Sequence, residues 1–215
     1  MPVLATTLQK FHESDVIDRI ILIVPVGDIR YSEEEIVKKY SFHKVDKIIA
    51  GGKRRQDSVR MGIEASEGQN EIVLIHDGVR PFIESGLIEK AVKAMQQDRA
   101  VVVAMPANDT VKEVNQDRQI IKTLNRKRIW LVQTPQVFRY EDIKEAHQKA
   151  LDEDWGDVTD DAMMIERIGI QVKVIPGSEK NIKNFCKVNF QVDFPMTKAT
   201  GSTGKDIFCK MGRRG

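Results

Sequence analysis

Residues 72–82 read IVLIHDGVRPF, an apolar run that ends abruptly in polar residues. The run 72–76 has the composition of a buried strand, and Asp77 and Arg80 follow it within four residues. In an open parallel α/β sheet the carboxyl ends of the strands form the crevice where ligands bind. Asp77 and Arg80 are therefore the first candidates for substrate contact, although a surface turn with an ordinary ion pair would need the same residue types.

Strand and helix patterns alternate on both sides of this stretch. Apolar strands are predicted at 19–24, 47–50, 72–76, 100–105, 129–132 and 171–175. Helices are predicted at 2–14, 32–40 with a Ser32–Glu35 capping box, 57–66, 87–95, 141–151 and from Thr159 to a C-terminus at Gly169. This alternation predicts an α/β fold that is Rossmann-like, with a mainly parallel sheet, helices on both faces and right-handed crossovers.

The pattern changes between residues 108 and 128. TVKEV and QIIKTL are two short β-branched runs separated by polar residues, which predicts a β-hairpin arm that protrudes from the domain. A two-stranded hairpin is marginally stable alone, so an arm of this kind is expected to pack on a second subunit. We expect a homodimer.

Length and composition limit the classes of protein. The 215 residues suit one main domain, predicted over residues 1–183, followed by a basic, Gly-, Ser- and Thr-rich tail at 184–215 that is expected to be disordered. The 34 basic and 32 acidic residues nearly balance, which argues against general binding of nucleic acid or membrane. The sequence contains no apolar stretch of 18 residues and no signal peptide, so we expect a cytoplasmic protein.

Two further motifs are excluded. The only two cysteines, Cys186 and Cys209, have no metal-site or redox spacing, and no protein-built metal site is predicted. GSTGK at 201–205 fails the P-loop pattern because Ala199 stands at the first glycine position and Asp206 follows the lysine.

Other segments carry polar residues at strand ends. GGKRRQDSV at 51–59 follows a strand and opens a helix, so it could receive an anion or a base edge, or could be a tight turn with a cap at Asp57 or Ser58. Thr134 follows the strand predicted at 129–132, and Thr159 precedes two acidic residues. Each threonine could also be an ordinary cap.

Taken in order, GGKRRQDSV, HDGVRPF, NDTVK, LVQTPQVF, TDDA and NIK resemble the 2-C-methyl-D-erythritol 4-phosphate cytidylyltransferases over residues 2–183. The resemblance implies transfer of CMP from CTP to methylerythritol phosphate with release of pyrophosphate, with Mg²⁺ bound mainly through the CTP phosphates. Catalysis by such enzymes depends on positioning and on cations, and no nucleophilic side chain is required.

The resemblance also implies residue roles. Gly52, Lys53 and Ser58 would contact cytosine, and Asp77 and Gly78 would line the nucleotide and acceptor pocket. Arg80, Thr110 and Arg126 would meet the acceptor phosphate, the last two reaching into the partner's site from the arm. Thr134 and Thr159 would bind acceptor hydroxyls, and Lys183 would orient the acceptor near the α-phosphorus; Arg126 and Lys183 are the catalytic candidates.

The sequence departs from the family in two places. The family's first strand and glycine-rich loop, which cradle the triphosphate, are not found in these 215 residues, and the tail after Lys183 differs. We therefore expect a truncated or frame-disrupted chain with impaired activity and exposed strand edges. Two alternatives remain: a cytidylyltransferase for another polyol phosphate such as ribitol 5-phosphate, and a non-catalytic remnant that dimerises.

Overall fold

The structure is a computed structural model that describes residues 1–183 and the strand at 206–210. The described strands form a seven-stranded sheet and a separate two-stranded hairpin. The strands of the large sheet are β1 (Ile20–Val24), β2 (Val45–Ala50), β3 (Ile72–Asp77), β4 (Ala100–Pro106), β7 (Trp130–Arg139), β8 (Lys173–Pro176) and β9 (Asp206–Lys210). The hairpin consists of β5 (Lys112–Val114) and β6 (Ile120–Thr123).

The α-helices lie between these strands, as the alternating pattern predicts. They are α1 (Val3–His12), α2 (Ile29–Tyr31), α3 (Arg55–Ser66), α4 (Ser85–Ala94), α5 (Tyr140–Asp152) and α6 (Asp161–Arg167). Short 3₁₀ turns occur at Val26–Asp28 and Arg126–Arg128, and a π-helix at Ser32–Lys38 continues α2. Gly169, at φ 84°, follows α6 in the left-handed conformation expected at a helix end.

The large sheet has the strand order β2-β1-β9-β3-β7-β4-β8. The pairs β1–β2, β1–β9, β3–β9 and β4–β8 are parallel. β7 is antiparallel to both neighbours, β3 and β4, and it runs on to Arg139, well beyond the predicted end at residue 132. The predicted α/β fold with a mainly parallel sheet is confirmed.

Strand β9 lies between β1 and β3. Its backbone pairs with Ile20–Ile23 of β1 on one side and with Val73–Asp77 of β3 on the other. The expectation of exposed edges at this point is therefore wrong for the described backbone, because residues 206–210 fill the gap. The same strand departs from the expected disordered tail, whose remaining parts, 184–205 and 211–215, lie outside the described residues.

The core lies on both faces of the sheet because strand side chains alternate. Ile20, Leu22 and Val24 pack with α1 and α4 on one face, whereas Ile21 and Ile23 pack with α3, α5 and α6 on the other. All five side chains are buried. A run that is apolar at every position is what a strand covered on both sides requires.

The segment after β1 corrects one prediction. The helical backbone begins before Ser32, so this residue lies inside a continuous helical segment and does not cap it. The Ser32 side chain is buried and its hydroxyl has no hydrogen-bond partner among the described residues. The predicted capping box with Glu35 is wrong, because the serine-to-glutamate spacing also occurs within helices.

The predicted arm is confirmed as a hairpin. β5 and β6 pair antiparallel, with Lys112 opposite Thr123 and Val114 opposite Ile120. Every residue of both strands is exposed. The hairpin therefore protrudes from the domain that the large sheet forms.

Candidate active site

The turn after β3 brings Asp77 and Arg80 together below the surface. The two side chains are 10% and 11% exposed, and Arg80 Nε lies 3.2 Å from Asp77 Oδ2. Lys183 Nζ lies 3.0 Å from the same carboxylate oxygen. Asp77 and Arg80 come from one motif and Lys183 from another. The three residues form one cluster at the carboxyl end of a central strand.

The cluster keeps Asp77 negatively charged. Burial alone would raise the pKa of its carboxyl, but the positive charges of Lys183 and Arg55 outweigh this effect and lower the pKa below its usual value. Asp77 is therefore ionised at neutral pH. Lys183, with 31% of its side chain exposed, is the member of the cluster that solvent reaches most readily.

Asn181 joins the segment before Lys183 to this cluster, and sequence reasoning did not identify it as a site residue. Its backbone oxygen accepts a hydrogen bond from Arg80 Nη1 at 2.7 Å. Its side-chain Nδ2 donates to the Thr134 carbonyl at 2.8 Å and to Gln133 Oε1 at 3.2 Å. Asn181 is fully buried, so it positions Lys183 by tying the chain to β7. Asn181 is the first residue of the NIK motif, but the family resemblance implies a role only for the lysine of that motif.

A second wall of the candidate site is the glycine loop between β2 and α3. A Cβ at Gly51 would lie 2.8 Å from Ser58 Oγ, and one at Gly52 would lie 2.5 Å from Asp57 Cβ. Both positions require glycine because the loop packs tightly on the first turn of α3. Lys53 is exposed beside this loop, whereas Ser58 is buried and its hydroxyl donates to the Arg54 carbonyl at 3.2 Å.

The cap of α3 uses Asp57, one of the two residues predicted to cap this helix. Asp57 Oδ2 accepts the Arg54 amide at 2.9 Å, which is the second half of a capping box centred on Arg54. The cap fixes the loop in place. It leaves the exposed side chain of Lys53 available to a ligand.

A buried ionic network anchors α3 to α5 and α6, and it too was not predicted. Arg55 Nη2 lies 2.6 Å from Asp161 Oδ2, and His147 Nε2 lies 3.1 Å from Asp161 Oδ1. Burial would raise the pKa of the fully buried Asp161 carboxyl, but Arg55 and His147 lower it far below its usual value. Asp161 is therefore a buried anion that holds Arg55 at the start of α3.

The two threonines predicted to bind acceptor hydroxyls lie in different environments. Thr134 is buried, and its hydroxyl contacts the Asp77 amide and the His76 ring. Thr159 is exposed and precedes the true cap of α6, Asp160, whose Oδ1 accepts the Met163 amide at 3.0 Å. The prediction that Thr159 opens this helix is wrong, because either residue can cap and the one nearer the helix does so.

Thr110 and Arg126 lie on the arm, apart from the cluster around Asp77. Both are exposed, and Arg126 Nη1 donates to the Asn108 carbonyl at 2.6 Å. Arg126 is thus bonded within the arm, whereas Arg80 and Lys183 both contact Asp77. Their predicted roles require the arm to reach another site.

Among the described residues, no group of three or more histidine, cysteine, aspartate and glutamate side chains is arranged to hold a metal ion. No helix in that part of the chain is long and apolar enough to cross a membrane.

The chain is similar in sequence to a family of known enzymes. A sequence model of the 2-C-methyl-D-erythritol 4-phosphate cytidylyltransferases matches residues 1–199. The enzyme of this name from Syntrophus aciditrophicus is 48% identical over 183 residues, which span 85% of this chain and 78% of the relative. That from Alkaliphilus metalliredigens is 44% identical over 183 residues, covering 85% of this chain and 75% of the relative.

Solved structures agree with the sequence matches. The 4-diphosphocytidyl-2C-methyl-D-erythritol synthase of Anaerococcus prevotii is 33% identical with a TM-score of 0.79, and the match covers 87% of this chain and 82% of that one. The Thermus thermophilus cytidylyltransferase is 28% identical with a TM-score of 0.72, covering 86% and 83%. All four proteins are named for a methylerythritol substrate or product, so neither the ribitol phosphate alternative nor the non-catalytic remnant is favoured. The chain belongs to the 2-C-methyl-D-erythritol 4-phosphate cytidylyltransferase family.

Proposed function

We propose that the residues around Asp77 bind CTP and methylerythritol phosphate for the transfer of CMP. The observation that carries this proposal is the contact between Lys183 Nζ and Asp77 Oδ2 at 3.0 Å, which joins two motifs 106 positions apart at a strand's carboxyl end. An ionised carboxylate that holds a lysine in place suits a reaction in which a cation must be aimed at phosphate oxygens.

In the proposed reaction an oxygen of the acceptor phosphate attacks the α-phosphorus of CTP. A new phosphorus–oxygen bond forms, the bond from the α-phosphorus to the bridging oxygen breaks, and pyrophosphate leaves with the bonding electron pair. Lys183 would stabilise the negative charge that develops on the transferring phosphoryl group, and Arg80 would bind the acceptor phosphate. Asp77 would keep both cations oriented, since its carboxylate contacts each of them.

The glycine loop would hold the nucleotide. The exposed side chain of Lys53, held beside the tight loop of Gly51 and Gly52, supports the assignment of Gly52, Lys53 and Ser58 to cytosine. Gly78, whose carbonyl accepts a 2.9 Å hydrogen bond from Thr7 Oγ1, would line the adjoining pocket. Thr134 and Thr159 are proposed to face the acceptor hydroxyls, Thr134 with its one remaining lone pair.

Mg²⁺ is proposed to act through the substrate. The described residues contain no carboxylate cage, and the Asp77 carboxylate is already paired with Lys183 and Arg80. These residues fit a metal held mainly by the CTP phosphates, which is how Mg²⁺ is commonly bound in nucleotide enzymes. When bound, the ion would neutralise charge on the phosphate oxygens.

The arm is proposed to form a homodimer and to place Thr110 and Arg126 in the partner's site. Exposed apolar side chains lie on the hairpin and on the neighbouring start of β7. They are Val114, Ile120, Ile121, Trp130, Leu131 and Val132, each at least 40% exposed. Contiguous exposed apolar side chains of this kind mark association surfaces. A cytoplasmic location stays a prediction.

Pyrophosphate release tests the proposal. The chain is incubated with CTP, Mg²⁺ and methylerythritol phosphate, with ribitol 5-phosphate as the control acceptor. We expect release that needs both CTP and methylerythritol phosphate and that is lost in Lys183→Ala. Release that favours ribitol 5-phosphate, or a wild-type chain that neither turns over nor binds CTP by calorimetry, would contradict the proposal.

A further inference from the structure

Three hydrogen bonds connect the turn after β3 to Thr134 on the neighbouring strand. The Asp77 amide donates to Thr134 Oγ1 at 3.0 Å, and the same hydroxyl lies 3.1 Å from His76 Nδ1. His76 Nε2 lies 3.3 Å from the Arg80 carbonyl oxygen. His76 is 1% exposed and Thr134 is 5% exposed, so water does not compete for these groups.

The chemistry of the partners determines where each proton lies. A backbone carbonyl only accepts, so His76 Nε2 must carry the hydrogen that it donates to Arg80. A neutral imidazole has one ring hydrogen, which leaves Nδ1 as an acceptor. Thr134 must then donate its hydroxyl hydrogen to Nδ1 while its oxygen accepts the Asp77 amide.

The neutral state of the ring agrees with its surroundings. Burial lowers the pKa of His76 from 6.5 to about 4, and the nearby Asp77 charge only partly opposes this. The imidazole is therefore uncharged at neutral pH. The single pattern of donors and acceptors above is the one that satisfies all three bonds.

This chain of bonds holds both ends of the turn. Thr134 fixes the amide of Asp77, and His76 fixes the carbonyl of Arg80. The side chains of these two residues form the centre of the proposed site. We infer that Thr134 and His76 are positioning residues that set the orientation of Asp77 and Arg80 toward the acceptor phosphate.

Thr134 then has a positioning role in addition to the acceptor contact that the resemblance implies. A direct contact alone would need only a hydroxyl near substrate, whereas positioning needs a donor to His76 and an acceptor for Asp77. Serine offers both and valine neither. The kinetic part of the test rests on the proposed function, but the state of the His76 ring can be measured without any substrate.

The experiment uses the full chain and compares Thr134→Ser and Thr134→Val with wild type. Ser66→Ala is the matched control, because Ser66 is a buried hydroxyl that donates to the Ile63 carbonyl outside the site. Nitrogen NMR of the histidine rings should show the Nε2-protonated form of His76 in wild type and in Thr134→Ser. Thr134→Val should lose the Nδ1 hydrogen bond and the exchange protection of the Asp77 amide.

Thr134→Val should change the kinetic constants for methylerythritol phosphate more than those for CTP. Loss of a buried hydrogen bond typically corresponds to roughly a tenfold change, so kcat/KM for methylerythritol phosphate should fall at least about tenfold in Thr134→Val. KM for CTP should change less than about threefold, since the glycine loop is untouched. Ser66→Ala should stay near wild type, and Thr134→Ser should keep more activity than Thr134→Val because serine retains both hydrogen bonds.

Several outcomes would overturn the inference. One is an Nδ1-protonated His76 in the wild-type chain, and another is a Thr134→Val variant that matches Ser66→Ala in both ring state and kinetics. If the wild type neither turns over nor binds CTP, the proposed function fails; without turnover, the ring state and the Asp77 amide exchange decide the positioning role alone. If Thr134→Val does not fold, Thr134→Ser and the wild-type ring state decide it.

Discussion

The turn after β3 and the hairpin arm both carry residues to which the family resemblance assigns substrate contacts, yet they are built in opposite ways. In the turn, Asp77 and Arg80 are buried and bonded to groups from β7 and the segment before Lys183. On the arm every strand residue is exposed, and Lys112 and Arg126 donate hydrogen bonds to Thr123 and Asn108 within the arm itself. The turn is pre-organised within one chain, whereas the arm is exposed along its whole length, as the proposed dimer requires.

The strongest way to break the turn is to remove its anion. Asp77→Asn keeps the shape but removes the negative charge that contacts Lys183 and Arg80, so kcat/KM for pyrophosphate release should fall roughly 10²-fold or more. Asp142→Asn is the control, because Asp142 is also a buried carboxylate and pairs with Arg99 far from the turn. Equal losses in the two variants would mean that Asp77 matters only for stability.

Acid should weaken the turn through His76. The pKa of this ring is lowered from 6.5 to about 4, so as pH falls below 6.5 the unfolded chain takes up a proton before the folded one does. Stability should therefore fall between pH 6.5 and about 4, by about 3 kcal/mol at ~1.4 kcal/mol for each pKa unit. Urea unfolding of wild type and His76→Gln at several pH values checks this, because carboxylates titrate in both. A difference between the two proteins that does not change with pH would contradict the prediction.

A substitution on the arm should weaken dimerisation and leave the free energy of unfolding of one chain almost unchanged. Ile120→Glu places a charge on a side chain that is 63% exposed, so the free energy of unfolding of one chain should change by less than about 0.5 kcal/mol. Light scattering should show loss of the dimer. Val26→Glu, at an exposed apolar residue away from the arm, is the control and should leave the dimer intact. A dimer that survives Ile120→Glu would mean that the arm is not its interface.

The smallest effect is expected for an ion pair across the arm. Lys122 Nζ lies 2.8 Å from Glu113 Oε2, but the two side chains are 58% and 44% exposed. Glu113→Gln should change the free energy of unfolding by less than ~0.5 kcal/mol, with less effect still at high salt. Urea unfolding at low and high salt measures it, and a loss above ~1 kcal/mol would show that the arm is more ordered within one chain than its exposure suggests.

Sequence patterns predicted best what depends on neighbours in the chain. The continuous apolar run of β1, the hairpin and the polar end of β3 are all local, and each was correctly identified. The same patterns also identified Asp77 and Arg80, because both follow a buried strand, whereas the role of Lys183 came only from the family resemblance. The resemblance then supplied their common site.

Contacts between distant segments could not be read in this way. Asn181 positions Lys183 through Thr134 and Arg80, and nothing in its own neighbourhood indicates those partners. Asp161 is one of the two acidic residues that follow Thr159 in the sequence. In the structure it is a buried anion that contacts Arg55 and His147. The antiparallel course of β7 and the place of β9 are also set by pairing, which an apolar run does not specify.

The place of β9 has a consequence for how the chain folds. β1 and β3 pair with it and not with each other, so the sheet cannot join its two sides until residues 206–210 have been synthesised. Contacts between segments so far apart in sequence form slowly, and until they form, the open edges of β1 and β3 are prone to aggregate. The glycine loop and the Asp77 turn lie on opposite sides of that gap, so the pairing of residues 206–210 also brings together the two walls of the proposed site.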